Sequence, residues 1–409
     1  MLPYVLTVFF LLLAAGHVLK SRFIIRYLQQ VRTEALTDAE CPAALVVLCL
    51  RGGDPFLHRS LTQLIAQDYP RYRVRIVVDS IEDEAHGYLA DSLGSPPPDH
   101  VEVRTLPARF ETCSFKMSGI LHGTSDLPDD VAVVAFMDGD TVPHSTWLRE
   151  LAAPIVRGLG GVSTGNRWFF PERPSLGSMC RFWWNAGAVP QMAINRMPWG
   201  GTMAVRRDLI EDPKLRECIQ HACSEDTSIG QFAWEQGETV HFEPSLLIVN
   251  REQIGLRSFF EFDTRQMLFT RLEFHAYRRM ALPGAMTVVM PLYPLLRLLG
   301  LPANGWTDVA FLLFFLSVWG GTLSLGLAVR KVLTRRNEQL GGWGGDRWFW
   351  SILAAFVLPI MQFIAVVRAA WMRRVEWRGV RYRVGGNPRV QVESDLWTSQ
   401  NGTVPSNGT

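Results

Sequence analysis

The spacing of apolar residues changes character along the chain. Met1–Val18 is an unbroken, uncharged apolar run, about long enough to cross a bilayer with little tilt. From about Cys41 to Asn250 the apolar runs are short and separated by polar, Pro- or Gly-containing turns: LVVLCL at 45–50, YRVRIVVD at 72–79, VEVRTL at 101–106 and VAVVAFM at 131–137. Runs of this length, rich in β-branched residues, predict buried strands. Leu57, Leu61, Leu64 and Ile65 share one helical face, with Asp54 as N-cap and Pro55 at the first helical position. Further helices are predicted near Ser145–Ile155 and from Ser224, as N-cap, to Gly237. Alternating strands and helices predict an α/β fold with a mixed, mainly parallel sheet. Past Arg257, SFFEFDTRQMLFTRLEFHAYRRM interleaves aromatics with arginines, as in helices lying at a membrane surface. Apolar segments follow at 281–296, 307–329 and 348–367.

This predicts an N-terminal anchor (1–20), an α/β domain (41–252), interfacial helices (253–280), C-terminal membrane segments (281–372), a basic cytoplasmic segment (373–392) and a disordered tail (393–409). Lys20, Arg22 and Arg26 follow the first apolar run, so it reads as an uncleaved anchor with the α/β domain in the cytoplasm. The basic stretches 330–336 and 368–383 both belong on that side. Simple alternation cannot satisfy both, so one segment is expected to be re-entrant or interfacial. The segment 281–296, with Pro283, Pro291 and Pro294, is expected to be broken or interfacial.

Composition narrows the function only a little. Of 409 residues, 48% are hydrophobic and 20% charged, and the net charge of +2 gives no basic surface for nucleic acid. Six irregularly spaced cysteines form no disulfide framework and fit a reduced compartment. Cys218, His221 and Cys223 lack a second ligand pair at zinc spacing. The segments 307–329 and 348–367 carry no ionisable residue beyond Asp308, which argues against a transporter.

The candidate chemistry lies where the strand 131–137 runs into Asp138-Gly139-Asp140-Thr141. Residues two apart in an extended chain point the same way. Two converging carboxylates repel unless a cation lies between them, and a hard divalent ion, Mg²⁺ or Mn²⁺, suits oxygen ligands. Asp79 ends a strand at the same edge, where ligands gather in parallel sheets. Three readings fit an isolated DGD. One is a metal carrying the diphosphate leaving group of a nucleotide-sugar; another is a phosphohydrolase D-x-D-x-T strand with Asp138 as nucleophile; the third is an acidic turn without function. Two βα units before the strand, and tryptophan-rich segments after it, weigh against the second. Trp199-Gly200-Gly201 serves equally as a tight core turn or a sugar-binding floor. Glu225 and Asp226 suit the first turn of a helix whether or not they act.

In order, these motifs resemble a membrane-bound family 2 glycosyltransferase with a GT-A fold, most of all the ceramide glucosyltransferase-like branch. The similar stretches are VLCLRGGDPFLHRSLTQLIAQDYPRYRVRIVVDS, FKMSGIL, MDGD, STGNRWFFP, WGGTMAVRR, SED and VEWRGVRYRV. The resemblance implies Asp138 and Asp140 as metal ligands and Asp226 as catalytic base. It implies a substrate-binding set of Arg51, Asp79, Asp83, Lys116, Trp199, Gly200, Glu225, Arg265, Phe269 and Arg271, with Asp79 accepting from uracil N3–H. In the motif before the membrane segments Leu268 replaces an arginine, which leaves the diphosphate to Arg265 or Arg271. The implied activity is inverting transfer of a hexose from a UDP-sugar to a hydroxyl of a membrane lipid. It would run at the cytoplasmic face of a bacterial inner membrane, with a processive polysaccharide synthase as the alternative.

Overall fold

The computed structural model describes residues 1–30, 33–335 and 340–395. The chain opens with α1 (Leu2–Gln30), which runs past the expected end of the anchor. It continues through β1 (Ala43–Leu50), α2 (Leu57–Leu64), β2 (Tyr72–Val78), α3 (Ala85–Leu93), β3 (Val101–Thr105), α4 (Phe115–Gly123) and β4 (Val131–Met137). Then come α5 (Trp147–Val156), β5 (Val162–Phe169), α6 (Leu176–Asn195), β6 (Thr202–Arg206), α7 (Arg207–Ile210), α8 (Pro213–Ile219), α9 (Glu225–Glu235) and β7 (Val240–Asn250). The remainder is α10 (Leu256–Glu273), α11 (Tyr277–Met286), α12 (Val289–Leu298), α13 (Gly305–Thr334), α14 (Gly345–Trp371), β8 (Arg374–Trp377), β9 (Val380–Val384) and β10 (Val390–Asp395).

β1 to β7 form one sheet in the order β3-β2-β1-β4-β6-β5-β7. β1 runs parallel to β2 and β4, and β2 to β3. β6 is antiparallel to both neighbours, and β7 is parallel to β5. Alternation along each strand divides the core between the two faces. Ala44, Val46, Leu48, Val133, Ala135 and Met137 pack with Leu57, Leu61 and Leu151 on one face. Leu45, Val47, Val134 and Phe136 pack with Met117, Ile120, Ile229 and Phe232 on the other. α2 begins at Leu57, later than expected, because Asp54 Oδ1 accepts from Phe56 N (2.9 Å) in a turn before the helix.

Among the described residues, four helical stretches are long and apolar enough to cross a membrane: Leu2–Gln29, Tyr277–Leu298, Gly305–Thr334 and Gly345–Trp371. α1 and α13 lie side by side in the same direction. Thr7 meets Thr307 (3.0 Å), Phe10 stacks on Phe314, and Ile24 and Leu28 cluster with Leu325 and Val329. The tail expected to be disordered from 393 is a strand as far as Asp395, paired to β9; its remainder lies outside the described residues.

Candidate active site

The carboxyl ends of β1 and β4 lie side by side in the middle of the sheet, and a cleft opens beyond them. Arg51 and Asp54 enter it from the loop after β1, Lys116 from the first turn of α4, and Asp138 and Asp140 from the end of β4. Trp199 and Gly200 precede β6, and Glu225 and Asp226 open α9. Phe262, Arg265, Gln266 and Phe269 close it from α10, a spacing of three and four that places them on one helical face.

Lys116 Nζ donates to both Asp138 Oδ1 and Glu225 Oε1. Burial would raise Asp138, but the ammonium outweighs it and holds that carboxyl below its ordinary range. Glu225, deeper, is raised by burial to about 7 in spite of Lys116. Desolvation, then the charge of Asp138, raises Asp140 to about 6. Among the described residues none hydrogen-bonds to the Asp140 side chain, and no three His, Cys, Asp or Glu side chains group closely enough to hold a metal. The chain thus offers two neighbouring carboxylates, one without a hydrogen-bond partner among the described residues. That donor set fits Mg²⁺ or Mn²⁺ completed by phosphate oxygens and water.

Asp226 is fixed at the mouth of α9. Its Oδ1 accepts from the Ser224 hydroxyl and from Thr227 N (2.7 Å), while Oδ2 faces Gly200 N at 3.5 Å. Ser224 holds the N-cap position, but its hydroxyl serves Asp226 and caps no helix N–H. Glu273 supports this turn from α10, accepting from Cys223 N, Ser224 N (3.2 Å) and Thr227 Oγ1 (2.6 Å). The glycines of Trp-Gly-Gly are required sterically. A β carbon on Gly200 would lie 1.8 Å from Glu225 Oε1, and one on Gly201 2.2 Å from the Trp199 ring. Trp199 is buried, its backbone N–H donating to Thr164 Oγ1 (2.9 Å).

Two arginines face the cleft with no hydrogen bond to a carboxylate among the described residues. The Arg167 guanidinium lies 5.0 Å from the Phe169 ring, 5.1 Å from Trp199 and 5.4 Å from Phe262. Arg265 lies over Trp377 (5.9 Å), and burial, then Arg167 and Arg378, pulls it down to about 10. Arg167 was not among the expected site residues; its signal was a lone arginine inside the buried strand β5.

Three of the expected residues lie outside the cleft lining. Asp79 does not line the cleft: its carboxylate is enclosed by Arg51 and by Arg109 (Nε to Oδ1, 2.7 Å), and Asp395 bridges the same guanidiniums. Asp83 Oδ1 accepts from Gly52 N (2.8 Å) and Ala85 N (2.9 Å), so it ties the β1 loop to α3. Arg271 points away, donating to the carbonyls of Ala370 (3.0 Å) and Met372 (3.1 Å) at the end of α14. Leu268 is fully buried with Val375, Val380 and Tyr382. The C-terminal strands, expected as a basic cytoplasmic segment, place Trp377 and Arg378 in the cleft.

A family model described as "Glycosyltransferase like family 2" matches residues 42–280, and one described as "Glycosyl transferase family 21" matches residues 185–390. The chain belongs to glycosyltransferase like family 2. With its sheet it is a GT-A glycosyltransferase that uses a nucleotide-sugar donor. Among solved structures, the mannosyltransferase PcManGT from Pyrobaculum calidifontis, in complex with GDP-Man and Mn²⁺, is 13% identical; the match covers 90% of this chain and 99% of that one, with a TM-score of 0.49. Glucosyl-3-phosphoglycerate synthase from Mycobacterium tuberculosis, in complex with Mn²⁺, UDP and glucosyl-3-phosphoglycerate, is 12% identical over 54% of this chain and 76% of that one, with a TM-score of 0.36. No curated protein matches the chain.

Proposed function

We propose that this glycosyltransferase moves a hexose from a UDP-sugar to a hydroxyl of a membrane lipid, ceramide-like or another glycolipid, with inversion at the anomeric carbon. The observation that carries the lipid is the two-sidedness of α10. Its Phe262, Arg265, Gln266 and Phe269 face the polar cleft. Met267 lines a separate apolar cavity of about 170 Å³ among the helices, beside Trp183, Trp184 and Trp319. Pockets for whole drug-sized ligands run to about 300–1,000 Å³, so this one suits a length of acyl chain whose head reaches the cleft.

In this reading the acceptor hydroxyl lies against Asp226, which takes its proton as the oxygen bonds to the anomeric carbon and the diphosphate leaves from the opposite face. Gly200 lets the acceptor approach the backbone. Arg167 and Arg265 bind the charge that gathers on the diphosphate, and Lys116 orients Asp138. Bound at Asp138 and Asp140, Mg²⁺ or Mn²⁺ would supply Lewis-acid neutralisation of that charge. For Asp79 to accept from uracil N3–H, one of its guanidinium partners has to give way.

The direction of the helices suits a site on the cytoplasmic side of the membrane, which we take to be a bacterial inner membrane. α1 and α13 run together toward the sheet, and α11 with α12 runs away from it: α11 starts beside Met197 of the sheet domain, while Arg297 of α12 pairs with Asp308 (3.0 Å) at the far end of α13. α14 returns to the domain at both ends. Arg347 donates to the Pro171 carbonyl (3.0 Å), and the Met372 carbonyl accepts from Arg271. We read α14 as the interfacial segment and the stretch 277–298 as a crossing, the reverse of what the prolines suggest. Both basic stretches then lie beside the domain.

The test is a panel of radiolabelled UDP- and GDP-sugars given to the purified chain with extracted membrane lipid. Label in one lipid species, heavier by a single hexose, is the expected result. Label in a water-soluble polymer, or released only as free sugar, would sink the lipid reading.

A further inference from the structure

β8 and β9 are joined by two residues, Arg378-Gly379, across the pair Trp377 and Val380. The φ angles are 49° at Arg378 and 74° at Gly379. Two successive left-handed residues make a type I′ hairpin turn, for which Asn-Gly is the low-strain pair. Arginine in the first position holds a conformation that its β carbon disfavours by roughly 1–2 kcal/mol. Local preference therefore does not explain the residue, and its position does.

The turn points into the cleft. Trp377 and Arg378 line it together with Lys116, Asp138, Asp140 and Arg265. The hairpin is fastened to the rim at two places, where Arg51 Nε donates to the Arg378 carbonyl (2.8 Å) and Phe115 N to the Tyr382 hydroxyl (3.2 Å), and β10 beside it at a third, where Val392 N donates to the Glu111 carbonyl (2.8 Å). Asp395, at the end of the third strand, pairs with Arg51 (2.7 Å) and Arg109. The Trp377 ring bridges the walls, packing on Phe115 (4.9 Å) and Phe269 (5.7 Å). The Arg378 guanidinium is held only loosely, 3.4 Å from both the Gly53 carbonyl and Asp54, with its side chain 42% exposed. A fixed backbone with a guanidinium held only by long contacts, one of them the ion pair with Asp54, leaves charge and donors to spare for an anion.

Resting on the reading above that the donor is a nucleoside-diphosphate sugar, we propose that Arg378 binds the donor diphosphate, carried on a C-terminal hairpin that Trp377 and Asp395 hold over the site. Arg378→Asn tests this without depending on a damaged fold, because Asn suits the turn better than Arg does. The full chain in detergent is titrated with UDP and GDP in Mn²⁺, each beside its nucleoside, uridine or guanosine. We expect Arg378→Asn to melt no lower than wild type, to bind the diphosphate at least about tenfold more weakly, as loss of one charge-assisted hydrogen bond implies, and to bind the nucleoside unchanged; Arg378→Lys recovers part of the loss. Equal weakening of diphosphate and nucleoside, or no weakening of either, overturns the inference while the donor reading stands. A wild-type chain that binds neither diphosphate overturns both.

Discussion

Asp226 has a structural explanation as well as a chemical one, and its contacts separate them. An acidic residue in the first turn of a helix is worth a few tenths of a kcal/mol to about 1 kcal/mol whatever else it does. Asp226 nevertheless keeps Oδ2 turned toward Gly200 on the cleft, with only a long 3.5 Å contact there. Asp226→Asn should cut transfer by about 10²–10⁴ and leave UDP affinity unchanged; kcat and a binding titration measured on the same preparation check this. Gly200→Ala should fail differently. Its β carbon meets a carboxylate already clamped by Lys116, so overpacking of about 1–3 kcal/mol is expected, read as a lower Tm together with lost activity. Glu273 adds a pH dependence of stability. Burial raises its carboxyl from 4.5 to about 7 against the hydrogen bonds it accepts. Its contribution is complete below pH 4.5, where both folded and unfolded states are protonated, and is lost as the pH rises through 7. The loss is on the order of 3 kcal/mol. Denaturation between pH 4.5 and 8 should show this decline in the wild type and a flatter profile in Glu273→Gln.

At the scale of elements, local signals were legible and long-range ones were not. The four leading strands, their apolar alternation and the carboxylates at the end of β4 follow from short stretches of sequence. The antiparallel insertion of β6 depends on pairing with β4 some 70 residues earlier, which no periodicity carries. The same applies to the charge square of Arg51, Asp79, Arg109 and Asp395, whose members come from separate loops and from a strand the sequence reads as disordered tail. Arg271 is a different case, because its signal was present. At 100° per residue, Phe269 lies about 40° around the helix from Arg265, and Arg271 about 240°. One arginine faces the cleft and the other faces α14. Arg265→Ala should therefore raise the donor KM with little change in Tm. Arg271→Ala should leave the donor KM alone and lower stability by about 1–3 kcal/mol, since two carbonyls lose a charged donor. The reverse pattern would mean that the diphosphate is held from the other side of α10.

For the molecule as a whole, the disposition of α14 decides how the site meets the bilayer. Its 27 residues rise about 40 Å, so length permits a crossing. Its contacts argue otherwise. It packs most along α6 and α10, which belong to or adjoin the sheet domain, and also meets α11 and α12. It starts where Leu340 and Trp343 cluster with Trp168 and Phe170, and it ends on Arg271 and the hairpin. Its far side, with Phe349, Phe356, Phe363 and Trp371 exposed, is apolar enough to lie in the interfacial layer. With the native cysteines replaced, single cysteines at Gly344, Arg373 and Pro302 distinguish the two arrangements. If α14 lies flat, an impermeant thiol reagent should label positions 344 and 373 together in inside-out vesicles, and position 302 only in right-side-out ones. Labelling of 344 and 373 from opposite sides would make α14 a crossing. The hairpin carrying Arg378 would then lie across the membrane from the end of α13, although that end and the hairpin both pack on the one sheet domain. The labelling pattern therefore tests the membrane arrangement and the unity of the active site together.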